Sequence, residues 1–202
     1  MPTNPEPRVA GLVLAAGASV RYGSPKQLLP YGGGVLLDAV LATARASSLD
    51  QIIVALGGAA AEVREVVDTT GCDVVENPDF GSGCSSSIAS ALPALGPDTD
   101  VLVLLLGDQP GVRPESVRRL LEGRGDAVIA VCRYDDGIGH PFAFSRTTFA
   151  DLAGLHGDKG VWRLLDQRSA EVAEVSVAGR IPVDVDTEED YDRVLAELRG
   201  AR

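Results

Sequence analysis

The chain has 202 residues, 45% hydrophobic and 23% charged, with a formal net charge of −11. This is the composition of a single globular domain with a sizeable core, and it excludes a disordered chain. The acidic balance repels nucleic acid and anionic membrane surfaces, so an anionic substrate has to be captured by a local positive site. In chain order, residues 1–7 are proline-rich and read as a short mobile tail of a single domain spanning 1–202, with neither the basic nor the apolar region of a signal peptide. Val9 to Leu14 is an apolar run that reads as a strand emptying into a glycine-containing loop, Leu14 to Pro30. Val35 to Ala44 carries an apolar stripe at helical spacing. Gln51 to Leu56 is a continuous apolar run, as expected of a strand covered on both faces. A helix is expected over Ala60 to Thr69, with Val63, Val66 and Val67 buried, and a short strand over Cys72 to Glu76.

Asn77 to Ser87 is turn-rich and leads into an Ala-rich helix, Ile88 to Leu95. Val101 to Leu106 is the strongest candidate for a central strand; a helix over Pro114 to Glu122 and a strand over Ala127 to Val131 follow. Strand and helix thus alternate, which predicts right-handed crossovers and a three-layer α/β/α sandwich on a mostly parallel, Rossmann-like sheet. The last third is less regular: short helices over Phe149 to Leu155 and Gly160 to Leu165, an edge strand over Val172 to Val177, and a helix over Thr187 to Arg199 whose start, Thr187 with Asp190, resembles a capping box. Cys72, Cys84 and Cys132 are odd in number and widely spaced, which speaks against a disulfide framework or structural zinc and for a reducing, cytoplasmic setting.

The chemistry-bearing residues collect where such sheets bind ligands, at the carboxyl ends of the strands. Gly17 and Gly23 let the backbone come close to an anion, and Arg21 and Lys26 add a bidentate fork and a mobile point charge suited to a polyphosphate. The spacing is neither a Walker loop nor Gly-x-Gly-x-x-Gly. Asp108, in Gly107-Asp108-Gln109-Pro110, follows the central strand and reads either as a magnesium ligand facing a bound triphosphate or as a turn aspartate. In the acidic run from Asp184 to Asp190, an extended Val183 to Val185 puts Asp184 and Asp186 on one side, so either acid can join Asp108 on a metal, while Glu188 to Asp190 suit a helix start. Cys84 lacks a base partner and reads as a small, partly buried thiol. No Gly-x-Ser-x-Gly is present, and with only His140 and His156 a histidine-based zinc site is not expected.

The block from Leu14 to Lys26 resembles the amino-terminal signature of the MobA/MocA-like nucleotidyltransferases, Leu-Ala-Ala/Gly-Gly-x-Ser-x-Arg-Met-Gly-x-x-Lys, with Tyr22 in place of methionine. Gly107-Asp108-Gln109-Pro110 resembles that family's second signature, whose aspartate is a metal ligand. Asp184 to Asp190 resembles its Asp-Ile/Val-Asp-Thr-Pro-Glu-Asp motif, with Glu188 in place of proline. Gly83 and Ser87 match the segment placed near the nucleoside. Gly139-His140-Pro141 and Gly157-Asp158-Lys159-Gly160 resemble features of the MocA subgroup, although Trp162 stands where that subgroup has arginine and Arg163 follows one place later.

The resemblance covers residues 8 to 195 and implies a magnesium-dependent transfer of a nucleoside monophosphate from a nucleoside triphosphate to a small phosphorylated acceptor, with release of pyrophosphate. It implies nucleotide binding by Leu14, Ala15, Ala16, Gly17, Ser19, Arg21, Lys26, Gly83, Ser87 and Asp108, with Arg21, Lys26 and Asp108 catalytic. Magnesium then rests on Asp108 and Asp186, and the acceptor on His140 and Lys159. Ala15-Ala16, rather than Gly-Gly, is similar to members that use CTP, and the acceptor implied is molybdopterin or its molybdenum form, with transient contact to a molybdoenzyme or its maturation factor. Another triphosphate or a sugar phosphate acceptor stays open. So do an oxidoreductase with a nucleotide cofactor and a non-catalytic cofactor carrier on the same fold.

Overall fold

Residues 6–17, 22 and 24–200 of the computed structural model are described here. They build a seven-stranded sheet in the order β5-β4-β1-β6-β8-β7-β9. Its strands are β1 (Arg8–Ala15), β4 (Gln51–Leu56), β5 (Asp73–Glu76), β6 (Thr99–Leu106), β7 (Ile129–Tyr134), β8 (Gly137–Ser145) and β9 (Val172–Ser176); β2 (Pro30–Tyr31) and β3 (Gly34–Val35) form a separate hairpin. Only β8 runs against its neighbours; β5, β4, β1 and β6 are mutually parallel, and β7 is parallel to β9.

Residues of β1 alternate between two apolar layers, which is why a strand covered on both faces reads as unbroken apolar sequence. Val9, Val13 and Ala15 face one layer, with Leu37, Val40 and Leu41 of α1 (Leu36–Arg45), Val63 of α2 (Ala60–Val66), and Val117 and Leu120 of α4 (Pro114–Arg124). Ala10 and Leu12 face the other, with Ile88 of α3 (Cys84–Ala91), Leu152 of α5 (Phe149–Ala153), and Val161, Leu164 and Leu165 of α6 (Gly160–Gln167). Leu12, Leu102, Leu104 and Phe142 are completely buried, and each such side chain contributes about 1.5–3 kcal/mol of burial. A third, small cluster of Leu36, Val185 and Val194 fastens α7 (Glu188–Gly200) to the hairpin. No described helix is long and apolar enough to cross a membrane.

Several elements depart from the sequence expectation. The α2 helix stops at Val66, and Val66 is 55% exposed while Val63 and Val67 are buried. The α3 helix begins at Cys84, so Cys84 to Ser87 are its first turn and not loop. The largest departure is β8, a stretch around Gly139-His140-Pro141 to which the sequence assigned no strand, but which lies between β6 and β7 as an interior strand. Its ladder to β7 breaks there: Val131 is opposite Phe142, and Cys132 opposite Gly139, so His140 and Pro141 stand in the irregularity between them. A bulge suits proline, which has no N–H to give the ladder.

Candidate active site

The chain leaving β1 is held at Ala15 and Gly17 by the side chain of Gln27. Gln27 is 2% exposed, and its amide nitrogen donates to the Ala15 carbonyl at 2.8 Å and the Gly17 carbonyl at 3.1 Å. Its own Oε1 is buried without a partner. Two carbonyls at the mouth of the strand are thereby committed to Gln27, which fixes the path of the chain as it enters the loop. Gly107 lies alongside: its N–H donates to the Leu14 carbonyl at 2.9 Å, and a Cβ there would come within 2.9 Å of the Ala15 Cβ. Only glycine lets the end of β6 come this close to the start of the loop. Ser19 and Arg21 lie outside the described residues.

Asp108 follows directly, and the segment after Pro182 is drawn up against it. The Val185 N–H donates to the Asp108 carbonyl at 3.1 Å, the Gln109 side-chain amide donates to the Pro182 carbonyl at 3.1 Å, and Val185 is completely buried in the third cluster. With Val185 turned inwards, Asp184 and Asp186 flank it at the site. The α7 helix behind them begins with the expected capping box: Thr187 N–H donates to Asp190 at 3.0 Å and Asp190 N–H to the Thr187 hydroxyl at 3.2 Å.

Lys26 joins these acids. Its ammonium pairs with Asp108 and stands 2.9 Å from Asp186 Oδ1; the lysine and Asp108 side chains are only 13% and 18% exposed, and Asp186 is 41% exposed. Burial works to lower the lysine pKa, but the charge and hydrogen bond of Asp108, then those of Asp186, outweigh it and hold it above its ordinary value. Asp184 shows the surplus of negative charge: desolvation against the surrounding protein, then the charges of Asp108 and Asp186, push it up to about 6, although its side chain retains contact with solvent.

Among the described residues no three His, Cys, Asp or Glu side chains form a metal cage. Two convergent carboxylates already neutralising a cation do fit magnesium or manganese, hard ions that take oxygen ligands and complete their shell with phosphate and water.

A second group of residues meets on the same edge of the sheet. Gly83, at φ 93°, precedes α3, and a Cβ on it would lie 2.7 Å from Asp158 Oδ1. Asp158 accepts from the Cys84 N–H at 3.1 Å, and the Ser85 hydroxyl donates to the Gly157 carbonyl at 2.5 Å. The segment expected near the nucleoside and the Gly157-Asp158-Lys159-Gly160 segment are therefore one docked unit, and Asp158 caps α3. Ser87 is buried and accepts from Asn77 at 3.0 Å, so it shapes the loop from below. Burial, then the charges of Asp158 and Asp108, push the Cys84 thiol up to about 11, so it is no nucleophile at neutral pH.

His140 is half-buried and stacked on Phe142, ring centroids 4.1 Å apart. Burial pulls it down to about 3, so near pH 7 the ring is neutral and offers a hydrogen bond, with no charge, to a ligand. Lys159 is exposed at the start of α6. The Arg163 guanidinium is turned back onto the His156 carbonyl.

Comparison with known proteins follows the same lines. The profile of the MobA-like NTP transferase domain matches residues 11–172. The chain is 31% identical over 199 residues to nicotine blue oxidoreductase of Paenarthrobacter nicotinovorans, covering 94% of this chain and 97% of that protein. It is 30% identical over 200 residues to purine catabolism protein PucB of Bacillus subtilis, covering 93% and 96%. Among solved structures, the manganese complex of Rv0371c from Mycobacterium tuberculosis superposes with a TM-score of 0.85 at 47% identity, over 94% of this chain and 98% of that one.

Proposed function

The chain belongs to the MobA-like NTP transferase domain family, and on that premise we propose that it transfers a nucleoside monophosphate, CMP from CTP, to the phosphate of a small acceptor, molybdopterin or its molybdenum form. The observation that carries this reading is the meeting of Lys26, Asp108 and Asp186 at the mouth of the β1 loop. A phosphate oxygen of the acceptor attacks the α-phosphorus, the bond from that phosphorus to the bridging oxygen of the β-phosphate breaks, and pyrophosphate leaves with the electron pair. The acceptor oxygen is already a nucleophile, so the protein has to align two anions and neutralise them, without a covalent intermediate.

Asp108 and Asp186 would hold a divalent ion, magnesium in this reading, which supplies charge neutralisation at the phosphates when bound. A related structure containing manganese supports the use of a divalent ion. Lys26 supplies one positive charge on a flexible stem beside those acids and, with Arg21, neutralises the departing pyrophosphate. Gln27 fixes the carbonyls of Ala15 and Gly17, so the entry to the loop is set before nucleotide arrives. His140, neutral, offers its ring as a hydrogen-bonding wall on the acceptor side, and Lys159 meets the acceptor phosphate.

The direct test is label transfer with magnesium, CTP, GTP or ATP, and molybdopterin. Label from the α-phosphate should appear in the acceptor, label from the γ-phosphate in pyrophosphate, and CTP should be preferred. Both labels remaining in CTP with a verified acceptor would contradict the reading. The name of the oxidoreductase relative motivates a second reading, a redox enzyme on the same fold. Oxidation of NAD(P)H by the purified protein with an aromatic acceptor would favour it.

A further inference from the structure

Trp162 is the chain's single tryptophan, and, at 41% exposure, one of two large apolar side chains exposed among the described residues. It lies in the first turn of α6, whose start is pinned at the carboxyl edge of the sheet. A Cβ on Gly160 would come within 2.2 Å of Ser85 Oγ, so the helix abuts the start of α3 as closely as the backbone permits. The indole meets Phe142 at right angles, ring centroids 5.4 Å apart, and the other aromatic neighbour of Phe142 is His140, stacked at 4.1 Å. His140 is on β8, which adjoins β6 on the side away from β1 and its phosphate loop. An aromatic row of His140, Phe142 and Trp162 thus runs from the strand beside β6 out to solvent, on the side of β6 away from β1.

The energetics favour a ligand role for the outer member of this row. One side of the indole is set by the perpendicular contact with Phe142, and helix α6 buries Val161, Leu164 and Leu165, so the ring is held on a rigid element. A rigid, partly desolvated aromatic surface gives stacking at little cost in side-chain entropy. We propose that Trp162 is the stacking platform for a planar heteroaromatic ring on the acceptor, and that it selects such a ring over an aliphatic sugar phosphate. This inference rests on the nucleotidyl-transfer reading and adds to it the residue that holds the acceptor's ring. Trp162 positions the acceptor; the reacting atoms remain with Lys26, Asp108 and the phosphates.

Because the chain has no other tryptophan, its indole fluorescence reports this position directly. The full chain is titrated in the presence of magnesium and a non-hydrolysable CTP analogue with 6-hydroxymethylpterin monophosphate and, separately, with ribose 5-phosphate. The pterin phosphate should change the emission saturably, and ribose 5-phosphate should not. By calorimetry, Trp162→Ala should bind the pterin phosphate about tenfold or more weakly, as loss of one stacking partner predicts, while Trp162→Phe keeps most of the affinity. Equal affinity for the two phosphates in the wild type, unchanged in Trp162→Ala, would overturn the inference. So would saturable quenching by the CTP analogue alone, which would place the nucleotide base on the indole. Calorimetry of the CTP analogue in the same samples separates the two levels: retained nucleotide affinity without aromatic preference overturns the stacking role only, whereas absent nucleotide affinity overturns the transfer reading and this inference with it.

Discussion

Lys26 Nζ lies 2.9 Å from Asp186 Oδ1, a contact between residues 160 positions apart in sequence. The same ammonium pairs with Asp108, so one lysine holds the two acids assigned to the metal. A divalent ion entering between them meets a positive charge already in place, and Lys26 has to turn towards phosphate for both to fit. Lysine suits this double duty because its charge sits on a flexible four-carbon stem.

Lys26→Met should therefore separate metal binding from turnover. Manganese binding without nucleotide, measured by electron paramagnetic resonance, should become about tenfold or more tighter, because one unit of like charge at contact distance has gone. Nucleotidyl transfer should fall by about a hundredfold, the usual effect of losing one preorganised charge at the reacting phosphates. Weaker manganese binding in the variant would place the metal elsewhere.

The sequence made these three side chains legible individually, since each falls in a recognisable motif, but not the way they are held. Gln27 carries no motif of its own, and only its 2% exposure and its two carbonyl partners reveal its role. A buried glutamine between Lys26 and a Leu-Leu pair was the available signal. The start of α3 was misread because Cys84-Ser85-Ser86-Ser87 favours loops and caps, and the cap that turns it into helix comes from Asp158, 74 positions away. Strand β8 was hidden by Gly139 and Pro141, residues that argue against an interior strand until the break in pairing with β7 accommodates them. Trp162 was recorded as a departure from a motif, and its aromatic neighbours on β8 could not be inferred while β8 itself was unrecognised.

Gln27→Leu should leave the fold intact but lower stability by about 1–3 kcal/mol, because the Ala15 and Gly17 carbonyls lose their donor. Part of that loss is offset by removing the unpartnered Oε1. Nucleotide affinity should weaken by about tenfold as the loop relaxes. Chemical denaturation and calorimetric titration with CTP check the two effects; unchanged affinity would show that the loop takes its shape without Gln27.

His140 gives a signed pH dependence. Its pKa in the folded chain is depressed to about 3 by burial, against the ordinary 6.5 expected on unfolding. Between those values the unfolded chain binds the extra proton, so this group makes stability fall as pH falls from about 6.5 to about 3, by at most about 1.4 kcal/mol per pH unit. Asp184, raised to about 6, acts in the opposite sense as pH falls through 6 towards its ordinary 3.8, since there the folded chain binds more protons. Comparing the wild type with His140→Gln by denaturation at pH 7, 6 and 5 cancels the carboxylate contribution. The wild type should lose stability on acidification more steeply than the variant; parallel curves would contradict a depressed pKa at His140.

The most direct test of the account is pyrophosphate release by the wild type and Asp108→Asn, with magnesium, CTP and molybdopterin. The substitution keeps the size of the side chain and leaves the Asp108 carbonyl bonded to Val185, so the melting temperature should stay within a few degrees of the wild type. Release should fall by about a hundredfold or more. A folded Asp108→Asn protein that releases pyrophosphate at the wild-type rate would contradict the assignment of this edge of the sheet as the site of nucleotidyl transfer.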